Sequence, residues 1–191
     1  MNALTLHSPR VASVDALRAA NASWAVQVAG IVGFALLTAL GSQVRLYLWE
    51  VPFTLQTLAV YGSGLFLGWR NGFLAQVLYL TLGLFLPVYA GDSFGPAYLF
   101  TAASAGYLLA FPIVAMTAGA LSKTWNTLSG SIISMIVGSV IMFAIGVTWL
   151  HFAMGYESWL TSIERGWLRF IPVDIAKILL VGLVYSGLRR L

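Results

Sequence analysis

Apolar residues in this chain come in long blocks separated by short polar or turn-forming stretches. None of the blocks alternates strictly between apolar and polar positions, so the pattern is that of membrane helices rather than barrel strands. A helix needs about 20 mostly apolar residues to cross a bilayer. Six blocks approach that length, at about 24–46, 54–69, 72–90, 102–121, 130–154 and 166–188. Pro52 and Thr54 precede the second block as a start signal and a capping hydroxyl. The stretch 87–95 is full of turn formers. The pattern predicts an all-α integral membrane protein with six transmembrane helices in a compact bundle. Residues 1–23 are expected as a short cytoplasmic tail or a surface helix, and residues 24–191 as one compact six-helix membrane domain.

Composition agrees. Of the 191 residues, 60% are hydrophobic and 8% charged, whereas a soluble domain carries about 25% charged residues. The mean hydropathy is +0.89. The placement of the charges adds an orientation. An even number of spans puts Arg10, Arg18, Arg70, Lys123, Arg189 and Arg190 on one side with a single acid, Asp15. Arg45, Arg165 and Arg169 fall on the other side with Glu50, Asp92, Glu157 and Glu164. Lys and Arg favour cytoplasmic loops, so both termini are expected inside. The net charge of +4 does not point to nucleic acid, because the basic residues are scattered singly and form no stripe. The chain has no cysteine, which excludes disulfides and thiolate metal sites. Small residues at 19–23 resemble a cleavage site, but the apolar run follows them, which argues against a removable signal peptide.

Asp174 and Lys177 are an acid and a base that fall well inside a hydrophobic span rather than at its end. Three positions apart, they share one helix face. A charge near the bilayer centre costs about 2.5–3.5 kcal/mol, and such groups usually mark a substrate or ion path. A structural ion pair between helices is the plainer alternative. Gln56 lies early in the second span, either at the interface or pointing into the bundle. Ala29, Gly33, Ala35 and Ala39 supply small residues that allow close helix approach, most simply within the chain's own bundle. Trp49, Trp159 and Trp167 fit an interfacial aromatic belt. No GxxxxGK[ST], HExxH or GxSxG motif occurs. His7 lies in the tail, and His151, near an outer helix end, reads as a packed or interfacial side chain rather than a metal ligand.

Three blocks together carry a resemblance. They are VPFTLQTLAV at 51–60 with Gly64, Leu67 and Gly68; YLTLGLFLPVYAG at 79–91 with Gly106, Tyr107 and Leu108; and Ile171-Pro172 with Asp174 and Lys177. Their order and spacing resemble the BioY family, the biotin-specific substrate-binding (S) components of energy-coupling factor (ECF) transporters. One departure is that a GPTGGY-like run of the family reads Thr101-Ala102-Ala103-Ser104-Ala105-Gly106-Tyr107 here.

The resemblance implies a six-helix protein of the cytoplasmic (inner) membrane that binds biotin at its outer side. It implies no cofactor and no enzymatic activity, with a membrane coupling protein (T component) and two ABC-type ATPases as partners. Asp174 would accept from the ureido N–H of biotin and Lys177 would donate to its C=O. Before ligand arrives, the two charges are expected to neutralise each other. From motif position, Tyr89 and Tyr107 would line the apolar part of the ligand, Gln56 would add an amide contact, and Arg45 or Arg169 would meet the carboxylate. Ala35 and Ala39 would be the docking site for the coupling protein. Two other functions compete with this one. The first is a self-sufficient proton-coupled biotin transporter with Asp174 as proton carrier. The second is an intramembrane enzyme, for which no second catalytic group is identifiable.

Overall fold

The computed structural model describes residues 17–18, 22–47 and 50–190. His7, Arg10, Asp15, most of the expected tail, Trp49 and the side chain of Arg190 lie outside the described residues. Ser23 opens helix α1, Trp24–Gln43, by accepting from the Val26 amide at 3.4 Å. Two short antiparallel strands follow, β1 (Arg45–Leu46) and β2 (Phe53–Thr54).

The next helical run, Gln56–Gly83, contains a residue that is not helical, Gly68, at φ 76° and ψ 178°. The chain reverses there. Gln56 bonds Tyr79 across the turn, Gln76 bonds Ser63, and a Cβ on Gly72 would lie 2.9 Å from the Ser63 carbonyl oxygen. The run is therefore a tight helical hairpin, α2 (residues 56–67) and α3 (residues 69–83). Only glycine takes the Gly68 conformation without strain, which lets the reversal occupy a single residue.

A short helix α4 (Gly95–Thr101) leads to α5 (Ala105–Thr124). Helix α6 (Leu128–Met154) is capped by Thr127 and stopped by left-handed Gly155. Short α7 (Trp159–Gly166), a 3-10 turn (Leu168–Phe170) and α8 (Ile171–Arg190) complete the chain. The α2–α3 hairpin is central, flanked by α1 and α5, with α6 against α5 and α8 against the hairpin and α6.

Six helices thus form the bundle: α1, α2, α3, α5, α6 and α8. Helices α1, α5, α6 and the α7–α8 stretch are each long and apolar enough to cross a membrane. The third helix ends at Gly83 rather than near Ala90. Tyr89 folds back over Gly83 and donates its hydroxyl to the Leu80 carbonyl at 2.8 Å, so the chain leaves the helix early. The last helix begins at Ile171, because the expected start at 166 is the end of α7 and residues 168–170 form the 3-10 turn. The boundary of the tail is not clean either. Arg18 donates to Tyr185 Oη at 2.5 Å and to the Gly119 carbonyl and Ser122 Oγ at 3.0 Å, tying the chain before α1 to α5 and α8.

Candidate functional site

Asp174 sits in the first turn of α8 and is 6% exposed. Its two carboxylate oxygens have separate donors. Tyr61 on α2 donates to Oδ1 at 2.8 Å, and Ser139 on α6 donates to Oδ2 at 2.5 Å. One carboxylate therefore fastens three helices. One turn further along α8, Lys177 Nζ donates to the Thr54 carbonyl at 2.6 Å and to Thr57 Oγ1 at 3.1 Å. The expected mutual neutralisation does not take the form of a direct ion pair. Asp174 and Lys177 form no ion pair within 4.0 Å, because each is drawn to partners on a different part of the bundle. A carboxylate has about four acceptor sites and an ammonium three donors, so each group keeps capacity after these bonds.

Both line a cavity of about 620 Å³, counting space continuous with solvent. Thr54, Gln56 and Thr57 extend the polar wall. The opposite walls are apolar and aromatic, from Tyr98, Tyr107, Leu108, Phe111, Met142, Phe143 and Phe170. These rings are held in register. Phe143 stacks on Trp167 with centroids 5.7 Å apart, and Phe170 stacks on Phe53 of β2 at 4.3 Å. Tyr107 donates to the Gly166 carbonyl at 2.8 Å. Gln56 is fixed at both ends, accepting from Thr54 Oγ1 at 2.8 Å and donating to Tyr79 Oη at 2.5 Å. The cavity therefore offers a fixed acceptor and a fixed donor on one side of a flat-walled apolar slot. That arrangement suits a small ring system with adjacent N–H and C=O groups.

The sequence profile of the BioY family matches residues 12–191. The chain belongs to the BioY family. It is 34% identical over 171 residues to the probable biotin transporter BioY of Lysinibacillus sphaericus, covering 83% of this chain and 86% of that one. It is 37% identical over 143 residues to biotin transporter BioY2 of Lactococcus lactis subsp. cremoris, covering 73% of this chain and 77% of the relative. Among solved structures, the S-component for biotin from an ECF-type ABC transporter superposes with a TM-score of 0.79 at 24% identity. That alignment covers 86% of this chain and 91% of the other.

Within this BioY chain, four residues singled out from sequence meet in the cavity: Asp174, Lys177, Gln56 and Tyr107. Tyr89 does not line it. Fully buried, it stacks behind Tyr98 at 5.4 Å, and Tyr98 provides the wall instead. Arg45 and Arg169 are also away from it, paired with Asp92 at 2.9 Å and Glu164 at 2.8 Å. Ala35 and Ala39 are 0% and 9% exposed, on the buried face of α1 together with Thr38 and Ser42. Their side chains serve the bundle's own interior in this structure. The surface of α1 is made by Val32, Leu36, Leu37 and Leu40. Trp167, read as a belt residue, backs the aromatic wall, whereas Trp159 stacks on His151 at 3.9 Å. His151 Nδ1 is 2.9 Å from Ser162 Oγ, a packed role.

Sequence reasoning missed Tyr61, Ser139, Tyr98 and Ser104. The available signal was weak: a hydroxyl in an apolar span requires a partner, and Asp174 offered one. The divergent junction at 101–107 is also structural. Trp149 Nε1 donates to the Ala102 carbonyl at 2.9 Å, and Ser104 beyond it borders the cavity.

Proposed function

We infer that this protein binds biotin as the substrate-specific subunit of an ECF-type importer in the cytoplasmic membrane. The observation that carries the reading is the Asp174–Lys177 wall. A buried carboxylate held by two hydroxyls and a separately held ammonium face an aromatic slot. The ureido N–H of biotin donates to Asp174, and its C=O accepts from Lys177. The fused rings lie against Tyr98, Tyr107 and Phe143, and the valerate chain points away from the polar wall. The names of the relatives support the ligand. As an ECF-type subunit it works with a membrane coupling protein and partner ATPases, and with no P-loop in the chain any ATP use is borrowed from them.

The cavity faces outward and both termini face the cytoplasm, as the gathering of Arg70, Lys123 and Arg189 at the far end supports. Since the chain has no cysteine, single cysteines report cleanly. Asp92→Cys reacts with an impermeant outside reagent in intact cells and Lys123→Cys does not; the reverse pattern overturns the orientation.

Mass spectrometry of small molecules released from the purified protein tests the ligand. Biotin is expected, and a different retained molecule refutes the assignment. Liposomes separate the transport modes. Tracer biotin uptake is expected only with coupling protein, ATPases and ATP. Uptake driven by a pH gradient alone would make the chain a self-sufficient transporter.

A further inference from the structure

At the end of the bundle opposite the biotin cavity, α2 turns into α3, and a second cavity opens there. Its lining includes Arg18, Arg70, Lys123 and Arg189, together with Trp69 and Asn71, and no acidic side chain among the described residues. The two ends treat their cations differently. At the biotin end Arg45, Arg165 and Arg169 each meet a carboxylate, from Asp92, Glu50 and Glu164. At the far end Arg18 is held by neutral groups, the Tyr185 hydroxyl, the Gly119 carbonyl and Ser122. Arg70 and Lys123 have no ion-pair partner among the described residues and are exposed.

We propose that this cavity binds the phosphate of an anionic membrane lipid. Converging Arg and Lys side chains, with no carboxylate among the described lining residues, are the complement of a phosphate group. The height of the cavity argues for a lipid as its source. Trp69, in its wall, is 52% exposed and nearby Trp125 is 43% exposed. Exposed tryptophans on a membrane protein settle at headgroup level. The first turn of α3, residues 69–71, also borders the cavity and adds the partial positive charge of a helix start. Arg18 is a positioning residue, already committed to Tyr185, while Arg70 and Lys123 contact the phosphate. The site is independent of the biotin reading and borders none of its residues.

Native mass spectrometry of the full-length protein, released from mixed micelles, is the test. With phosphatidylglycerol, wild type retains one lipid in clear preference to phosphatidylcholine. The Arg70→Gln/Lys123→Gln variant binds it roughly 30-fold more weakly, as expected for two cations beside an anionic headgroup. Arg45→Gln removes one charge from the other end and leaves retention unchanged. Equal retention of the two lipids by wild type overturns the site. So does the same loss in Arg45→Gln, which would mean only general charge attraction. Inorganic phosphate is the third arm: displacement of the lipid by millimolar phosphate would assign the cavity to free phosphate and overturn the lipid source. Biotin binding by the double variant is expected to stay intact, which shows that it is folded.

Discussion

Two of the polar clusters inside this bundle make a contrast: one borders a cavity and the other does not. In the first, Tyr61 and Ser139 hold Asp174. In the second, Gln76 on α3 donates to Ser63 Oγ at 3.1 Å and to Thr38 Oγ1 at 3.3 Å. Those hydroxyls donate onward to the Val60 and Phe34 carbonyls at 2.7 and 2.8 Å. Asp174 is nearly as well covered as the second cluster, whose three residues are all fully buried. The difference lies in what is left over. The Gln76 cluster is neutral and closes on itself, so it serves as glue between α1, α2 and α3. Interhelical hydrogen bonds of that kind average about 0.6 kcal/mol in membranes. The Asp174 cluster is charged and keeps acceptor sites open toward a cavity. Hydrogen bonds to charged groups contribute about 1.5–3 kcal/mol. A buried polar residue in a span is therefore not by itself a site; unspent bonding capacity beside empty space makes it one.

The sharpest way to break this contrast is Asp174→Asn. Biotin affinity should fall by roughly 10- to 150-fold, the equivalent of one charged hydrogen bond, as read by equilibrium binding of labelled biotin. Lys177→Met should act similarly. Because both side chains face the same ligand, their effects need not add, and the double variant should bind at least as weakly as the weaker single variant. Recovery of biotin binding in the double variant would show a purely structural pair and refute the assignment.

Tyr61→Phe comes next. It removes one of the two donors to Asp174, and biotin should bind about tenfold more weakly. The conservative ring should leave the melting temperature in detergent near wild type. Gln76→Leu should give the opposite pattern, losing about 1 kcal/mol of stability with biotin affinity unchanged. If Gln76→Leu weakens biotin as much as Tyr61→Phe does, the two clusters are not functionally distinct.

The smallest effect is at the rim. Arg165 donates to Glu50 at 2.7 Å, joining the segment before β2 to α7. The Glu50 carboxyl is lowered below its ordinary value of 4.5, first by its own backbone amide and then by Tyr156 and Arg165, against desolvation. A lowered carboxyl stabilises fully above its unfolded value and loses that contribution as pH falls through the folded one. The small melting-temperature deficit of Glu50→Gln should therefore be present at neutral pH and vanish in strong acid.

Much of this was legible in the sequence, for identifiable reasons. The six helices follow from apolar block lengths, and charge at membrane depth marked Asp174 and Lys177 as exceptional. Gln56 and Tyr107 were placed in the cavity by motif position. What was hidden depended on direction rather than composition. Spacing puts Asp174 and Lys177 on one face but cannot say that Tyr61 and Ser139 claim one while Thr54 and Thr57 claim the other. Ala35 and Ala39 have the spacing of a contact face, yet the sequence does not say whether the neighbour is α2 or another protein. Tyr89 and Tyr98 are similar aromatics nine positions apart, and only the fold-back over Gly83 decides which one faces the cavity. Blocks that end at 69 and resume at 72 imply a connection between them, whereas Gly68 alone makes the reversal.

That single-residue turn also bears on the surrounding lipid. At 1.5 Å per residue, residues 56–67 rise about 18 Å and residues 69–83 about 22 Å, against a hydrocarbon core of about 30 Å. The hairpin is too short to match an undisturbed bilayer. On the α2 side the chain before the helix is the β1–β2 ribbon, whose backbone groups pair with one another. Where the hairpin meets lipid, the acyl chains must compress or the headgroups must dip toward the protein. The membrane beside this face is thus expected to be thinner than elsewhere around the molecule, and acyl-chain length becomes a variable to which the protein responds.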